Sequence, residues 1–354
     1  MPLDCPTVDT GEIYCIRERD FITQKDGLYV KLGKTSRDTK KRLKEHQTGN
    51  PRQEIAEAVE KTVMMSSLEK YLHYVFAEHC VNSEWFLIDQ KTIGSKVVPL
   101  IQKLSKQHTT VRPLFDEWKK QSKTTSNGKS VTSTPAINKL HKDCLKKAEK
   151  YVVAEAKKQI LELELKSMIN GHDGIDNLIY LARSTPFDKV AFLKLLTTTE
   201  QNSCHNTSTK IGPSKPTISG TRGLLKAKDL TIYTALKATE KNYKITKPTD
   251  ANLSKKPKKR LKVEEKIHTD WLKSKKEFKE TQWEYQIAVA KLVEQLGDNE
   301  EIPGVIKWER VQKTSKSFDK KKAQKLFPAK FAACSGTPDS KLSKADIDDG
   351  KKYK

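Results

Sequence analysis

Two short runs of β-branched and aromatic residues open the chain. Gly11-Glu12-Ile13-Tyr14 and Tyr29-Val30-Lys31-Leu32-Gly33-Lys34-Thr35 read as strands, and the polar loop between them carries the turn signal Lys25-Asp26-Gly27, so the pair reads as a hairpin. Glu12 reads as a neutral variation on the surface of the first strand. After Gly33 the period lengthens. Ser36 or Asp38 can cap a helix that carries Arg42, Leu43 and His46 and is stopped by Gly49-Asn50-Pro51. Arg42 and His46, four apart, share a face. A third apolar stretch spans residues 55–63, and Ser66-Ser67 then offers hydroxyls to cap a second helix with Leu68, Leu72, Val75 and Phe76 as its stripe. Glu69 and His73 lie beside that stripe, and Trp85-Phe86-Leu87-Ile88 reads as a short closing strand with Trp85 and Phe86 in the core. The expected class is α+β: a small three-stranded mixed sheet flanked by helices, then a mainly helical, linker-rich basic region.

Later patterns are helical with polar interruptions. Val97, Val98, Ile101 and Leu104 predict a helix over residues 92–107 packed on the sheet, with residues 111–118 as a short apolar appendage and the first domain ending at residue 120. Residues 121–135, rich in Ser, Thr, Lys and Gly, read as a linker. A helical module over 136–199 follows, with one long helix at 138–169 and shorter ones at 175–182 and 187–196; its stripe does not hold a coiled-coil heptad. Residues 200–262 read as a flexible basic linker with a short helix after Leu224. A second helical module over 263–334 carries Trp271, Phe278, Trp283 and Tyr285, a strand at 305–308 and a helix stopped near Pro328. The polar tail, 335–354, is expected to be disordered.

Charge changes the picture most. The 354 residues include 68 Lys or Arg against 45 Asp or Glu, a formal net charge of +23, which attracts polyanions and makes nucleic acid the default partner. A ribosome-like or membrane-surface role would carry the same charge. With 35% hydrophobic, 7% aromatic and 32% charged residues, only part of the length can form dense cores. Cys5, Cys15, Cys80, Cys144, Cys204 and Cys334 show neither a C-x-x-C pair nor zinc-ligand spacing, which fits free thiols in a reducing compartment. No apolar leader or membrane-length run is present, so the chain is expected to be intracellular and soluble, without a membrane partner. The basic run at 255–262, KKPKKRLK, reads as a nuclear-import signal or a phosphate-gripping arm in a nuclear setting, and as a charged linker in a bacterial or phage cytoplasm.

At Gly11-Glu12-Ile13-Tyr14, Lys31-Leu32-Gly33, Arg42-Leu43-Lys44-Glu45-His46-Gln47-Thr48-Gly49-Asn50-Pro51, Glu69-Lys70-Tyr71-Leu72-His73 and Glu84-Trp85-Phe86, the chain resembles the GIY-YIG nuclease superfamily. The likeness is to its phage-type branch, which includes the fungal meiotically up-regulated proteins, and it covers about the first hundred residues. The resemblance implies a divalent-metal-dependent endonuclease. Tyr14 matches the tyrosine that orients and helps deprotonate the attacking water, and Arg42 matches the arginine that grips the phosphate. Glu69 matches the single carboxylate that holds Mg²⁺ or Mn²⁺, and His46 matches a histidine found in some members. Lys31 stands where the type pattern has a second tyrosine; it can stabilise phosphate charge or lower the pKa of Tyr14, and it leaves the identity of the base open. His73 is open between packing and a partner to the metal. Lys34, Lys40, Lys41, Lys44 and Arg52 are the candidate nucleic-acid contacts.

The segment from Trp308 through Phe318-Asp319 to Pro328 faintly resembles an element found after the catalytic core of YqaJ-like phage exonucleases, and it implies a docking module without activity of its own. Taken singly, Tyr14, Arg42 and Glu69 have ordinary readings as a packing residue, a solvated cation and an exposed helix pair with His73. Two readings therefore stand. One is a DNA endonuclease cutting one strand per site, docked by its basic helices and possible as a dimer on DNA; the other is a non-cutting nucleic-acid binder or scaffold that keeps the fold. A pure binder would need the basic surface but not Glu69.

Overall fold

Ile13, Cys15, Val30 and Leu32 alternate with Tyr14, Ile16 and Lys31, and that period of two builds the first sheet. The computed structural model of the chain describes residues 3–48, 52–82, 84–169, 172, 174–175, 178–182, 187–213, 215–242, 258–335 and 346–348. Strands β1 (Gly11–Arg19) and β2 (Asp26–Thr35) pair antiparallel, with Tyr14 opposite Gly33 and Ile16 opposite Lys31. After α1 (Thr39–Gln47), β3 (Gln53–Thr62) pairs antiparallel with the other edge of β1. Following α2 (Met65–Val75), β4 (Cys80–Asn82) and β5 (Trp85–Leu87) form a small hairpin that joins β2. The class is α+β as expected, but the sheet has five strands in the order β3-β1-β2-β5-β4, all antiparallel, rather than three in a mixed arrangement. Three-residue strands carry too few alternations to be read from pattern alone.

One face of this sheet is its core. Ile13, Cys15, Val30 and Leu32 are fully buried against Leu68 and Leu72 of α2, and against Ile93, Val97 and Ile101. These last residues lie where a single turn, α3 (Gln90–Thr92), passes through a π-helical segment into α4 (Val98–Gln121). The expected appendage at 111–118 is the continuation of α4 through Pro113. Phe115 and Trp118 leave the first core and enter a second, so α4 belongs to both.

The second core is made by two 35-residue helices, α5 (Pro135–Ile169) and α10 (Lys262–Leu296). Between them come β6 (Gly174–Ile175), β7 (Ile179–Ala182), α6 (Lys189–Lys194), α7 (Thr198–Ser203), β8 (His205–Gly212), β9 (Thr217–Ile218), α8 (Leu224–Lys228) and α9 (Leu230–Asn242). Residues 175–182, expected as a helix, are largely strand: β6 and β7 pair with each other, and Asp346–Asp348 adds a third strand. Tyr151 and Val152 of α5 meet Phe278, Tyr285, Val289 and Leu292 of α10. Fully burying a large apolar side chain stabilises by about 1.5–3 kcal/mol, so this seam dominates the second body.

The expected linker at 121–135 is a strap held by backbone bonds. The amides of Ser126, Asn127 and Val131 donate to the carbonyls of Arg310 (2.9 Å), Asp298 (3.0 Å) and Glu301 (2.9 Å). Within 200–262, β8 pairs with β12 (Val311–Phe318) as a two-stranded ribbon, and β9 joins β10 (Glu301–Ile302) and β11 (Ile306–Lys307). Polar strands of this kind lack the apolar alternation that would have marked them. Residues 243–257, and with them the start of the basic run, lie outside the described residues, as does most of the tail. Of that run, Lys258 pairs with Glu264, and Arg260 Nε lies 3.0 Å from Glu265 Oε1 at the start of α10. α11 (Lys320–Leu326) and α12 (Pro328–Ala333) end the described body. The residues of the second resemblance have structural places there: Trp308 is buried with its Nε1 donating to Pro213 O (2.8 Å), Phe318 packs beside Phe187 and Phe192, Asp319 caps α11 and Pro328 opens α12.

Candidate active site

Tyr14 faces away from the apolar core of the sheet, yet only 2% of it is exposed. Its shelter is Gly33 on the neighbouring strand. A Cβ at Gly33 would stand 2.6 Å from Tyr14 Oη and 2.7 Å from the ring, so the phenol lies where any side chain on residue 33 would be. The glycine of the Lys31-Leu32-Gly33 triplet is thus the slot for the tyrosine of the first strand.

Arg42 comes from α1, whose position is set from both ends of its first turn. The Asp38 carboxylate accepts from the amides of Lys40 (2.8 Å) and Lys41 (3.2 Å), a conventional cap. Glu12, expected to be neutral, accepts at Oε2 from the Thr39 amide (2.8 Å) and hydroxyl (2.7 Å) and so ties α1 to β1. A negative charge at a helix N-terminus also meets the favourable end of the dipole. Held this way, the Arg42 guanidinium lies close enough to the Tyr14 phenol to oppose the rise in its pKa, and it donates from Nη1 to Glu45 Oε2 at 3.0 Å.

Glu69 reaches the site from the helix on the apolar face. Its carboxylate, 13% exposed, lies 2.8 Å from Lys34 Nζ. Lys34 in turn donates to Ser66 Oγ (3.0 Å), whose amide and hydroxyl both donate to the Asp9 carboxylate. The α2 cap expected from Ser66-Ser67 is therefore supplied from 57 residues away, since no side chain caps the helix at Met64. His73 donates from Nε2 to Leu32 O (2.9 Å), and its ring packs 5.2 Å from that of Phe86. It braces β2.

A second carboxylate was not singled out from the pattern. Glu84, between β4 and β5, pairs with Lys31 at 3.3 Å and gives its carbonyl to the Leu32 amide at 3.0 Å. The phenol of Tyr14 is held above its ordinary pKa, first by burial and then by the negative charge of Glu84; Arg42 opposes both, and Glu69 adds a smaller upward push. Glu84 thus acts on Tyr14 more strongly than Glu69 does. Its only signal in the sequence was its place before Trp85-Phe86.

The structure therefore brings Arg42, Glu69 and Glu84 near enough to Tyr14 to act on its phenol, with Lys34 and Lys31 paired to those acids. Lys40, Lys41 and Lys44 are exposed on α1, and Arg52 is exposed at the start of β3. His46 lies within α1, but its side chain is outside the described residues. No group of three or more His, Cys, Asp or Glu suited to a metal occurs among the described residues. The donor set, one half-buried carboxylate at Glu69 with a second acid at Glu84, fits a hydrated ion such as Mg²⁺ shared with phosphate oxygens. It does not fit an all-protein cage. Among the described residues no helix is long and apolar enough to cross a membrane.

Residues 11–100 match the T5orf172 domain family, which is associated with GIY-YIG-like, phage-nuclease-type domains. The match begins at the first residue of β1 and ends within α4, and it contains every residue of the site except Asp9. No curated protein and no solved structure matches the chain.

Proposed function

We propose that residues 11–100 form a metal-dependent endonuclease domain of GIY-YIG type that hydrolyses phosphodiester bonds in DNA. The observation that supports this reading is the sheltered Tyr14 phenol with the Arg42 guanidinium acting on it, beside two carboxylates, Glu69 and Glu84, each paired with a lysine. Arg42 is a planar, permanently charged fork suited to two phosphate oxygens at once. Tyr14, with its raised pKa, is protonated at neutral pH and serves as a hydrogen-bond donor that orients the attacking water and the phosphate. Approach of a phosphate gives Lys34 and Lys31 an anionic partner in place of Glu69 and Glu84, and that exchange frees the acids. Glu69 would then hold Mg²⁺ or Mn²⁺, with Glu84 as the second acid within the site. The ion's contribution when bound is Lewis-acid stabilisation of charge on the phosphate and leaving oxygens.

One such site cuts one strand, so duplex cleavage takes two copies or two visits; sedimentation on a short duplex counts the copies. The decisive measurement is nicking of supercoiled plasmid with Mg²⁺ or Mn²⁺ by wild type, Glu69→Ala and Arg42→Ala. Lost nicking with retained DNA binding supports the enzyme. A wild-type protein that cuts no duplex, single-stranded or branched substrate would move the reading to a non-cutting nucleic-acid binder. The Lys34–Glu69 and Lys31–Glu84 pairs favour that second reading, because each acid already has a cation.

A further inference from the structure

Strands β8 and β12 pair over their full length, yet no residue of either strand is buried. Successive side chains of a strand point to opposite faces, so a ribbon with one face on a core would show alternating burial. This one does not: neighbours such as Thr209 and Lys210, or Thr314 and Ser315, are exposed together. A two-stranded ribbon alone is marginally stable in water at best, and this one is held by its ends. Phe318 packs on the aromatic cluster of Phe187, Phe192 and Phe331, and beyond the other end Trp308 and Arg310 are buried. Between these anchors both faces are open to solvent.

The open stretch has a one-sided chemistry. Residues 205–212 and 311–318 contain three lysines, Lys210, Lys313 and Lys316, and no acid. Acids lie beyond its ends: Glu309 precedes it, and Asp319 follows it, capping α11 and accepting from Asn206 Nδ2 at 2.6 Å. Among the described residues none of the three lysines is ion-paired with a carboxylate. The register sets Lys210 directly opposite Lys313, on one face. Directly opposed residues have Cβ atoms about 4.5–5.5 Å apart, and like charges there are destabilising.

Lysine is also a common guard against strand addition at an exposed edge. That role accounts for a lysine on each strand, but not for two of them in register on one face. The rest of that face is small and polar, with Ser208 opposite Ser315 and Asn206 opposite Ser317. Hydroxyl and amide groups of this kind hydrogen-bond phosphate and base edges. The other face carries Lys316 and a cross-strand bond between the Thr209 and Thr314 hydroxyls (3.1 Å). Eight residues per strand make a ribbon roughly 25 Å long, and the major groove of B-DNA, about 12 Å wide, admits a two-stranded ribbon.

We propose that the β8–β12 ribbon docks in the major groove of duplex DNA with its Lys210–Lys313 face inward, the two lysines on backbone phosphates. The proposal rests on the nucleic-acid part of the function proposed above and uses no cleavage chemistry. Affinity of the intact protein for a short duplex is measured across a salt series for wild type, Lys210→Gln/Lys313→Gln and Lys139→Gln/Lys142→Gln. The last removes the same charge from exposed positions of α5. The salt slope of the ribbon variant becomes shallower by about two units, one for each lost phosphate contact, and that of the α5 variant stays near wild type. Equal changes in the two variants make net charge the cause and overturn the proposal. So does an unchanged slope in the ribbon variant, or a wild type that binds no duplex. In the wild type, duplex slows acetylation of Lys210 and Lys313 by an amine-reactive reagent; unslowed acetylation overturns the proposal without any variant. A protein that protects these lysines but cuts nothing keeps the ribbon and loses the enzyme, whereas one that nicks with both lysines unprotected does the reverse.

Discussion

The sheet edge beside Gly33 and a cavity along α10 are both lined by lysines, yet they handle charge differently. At the edge each cation near the phenol has an acid: Lys34 has Glu69, Lys31 has Glu84 and Arg42 has Glu45. Along α10 the ammonium groups meet aromatic rings and one another. A balanced site can exchange partners when phosphate arrives, which suits turnover. The net charge of +23 does not distinguish the two, because it counts charges without their partners.

The largest effect that would break the comparison is at Arg42. Arg42→Ala removes the fork that acts on both Tyr14 and the phosphate, and nicking is expected to fall about 10²–10³-fold, as for loss of a preorganised charge-stabilising donor. DNA affinity should change far less, because the rest of the basic surface is untouched. A matched loss of affinity and nicking would mean that the two regions are one.

Next comes the joint between them. The His108 ring of α4 packs, tilted by 45°, against Trp283 of α10 with centroids 4.7 Å apart, and burial lowers its pKa from 6.5 to about 4. The folded form keeps the ring neutral. As pH falls from 6.5 to about 4, the unfolded chain takes up a proton that the folded chain refuses, so stability declines through that window, by at most about 3 kcal/mol. Urea melts at a series of pH values should show this acid limb, and His108→Phe should flatten it.

Gly33→Ala is expected to cost about 1–3 kcal/mol, as overpacking does, since its Cβ would meet the Tyr14 phenol at 2.6 Å. Nicking should fall with it. Smallest is Glu12→Ala, which unties Thr39 from β1 and should lower stability by about 1–2 kcal/mol. It sharpens the comparison by loosening only the helix that carries Arg42, so a normal nicking rate would show that α1 is positioned by other contacts.

The hairpin, both helices of the first hundred residues and the two long helices α5 and α10 were legible because each repeats its apolar period several times. Tyr14 and Arg42, read from their motif, stand close enough to act on each other. Glu84 was named with Trp85 and Phe86 but given no role, because a lone acid before an aromatic pair does not say which lysine or phenol it will face. Asp9 was hidden because the bond that caps α2 spans 57 residues, and no local rule reaches that far. The strap at 126–131 and the β8–β12 ribbon were read as linker for a related cause: their order comes from backbone bonds to distant segments, which polar side chains do not announce.

Periodicity and residue type determined an α+β amino-terminal domain and a basic helical remainder, and the family resemblance implied which phenol, guanidinium and acid to look for. Tertiary structure alone decided which acid faces which lysine and that Gly33 yields its space to Tyr14. The reason is physical. Secondary structure follows from neighbours a few residues apart, whereas the strength of a charge depends on burial and on partners that only the folded chain brings near.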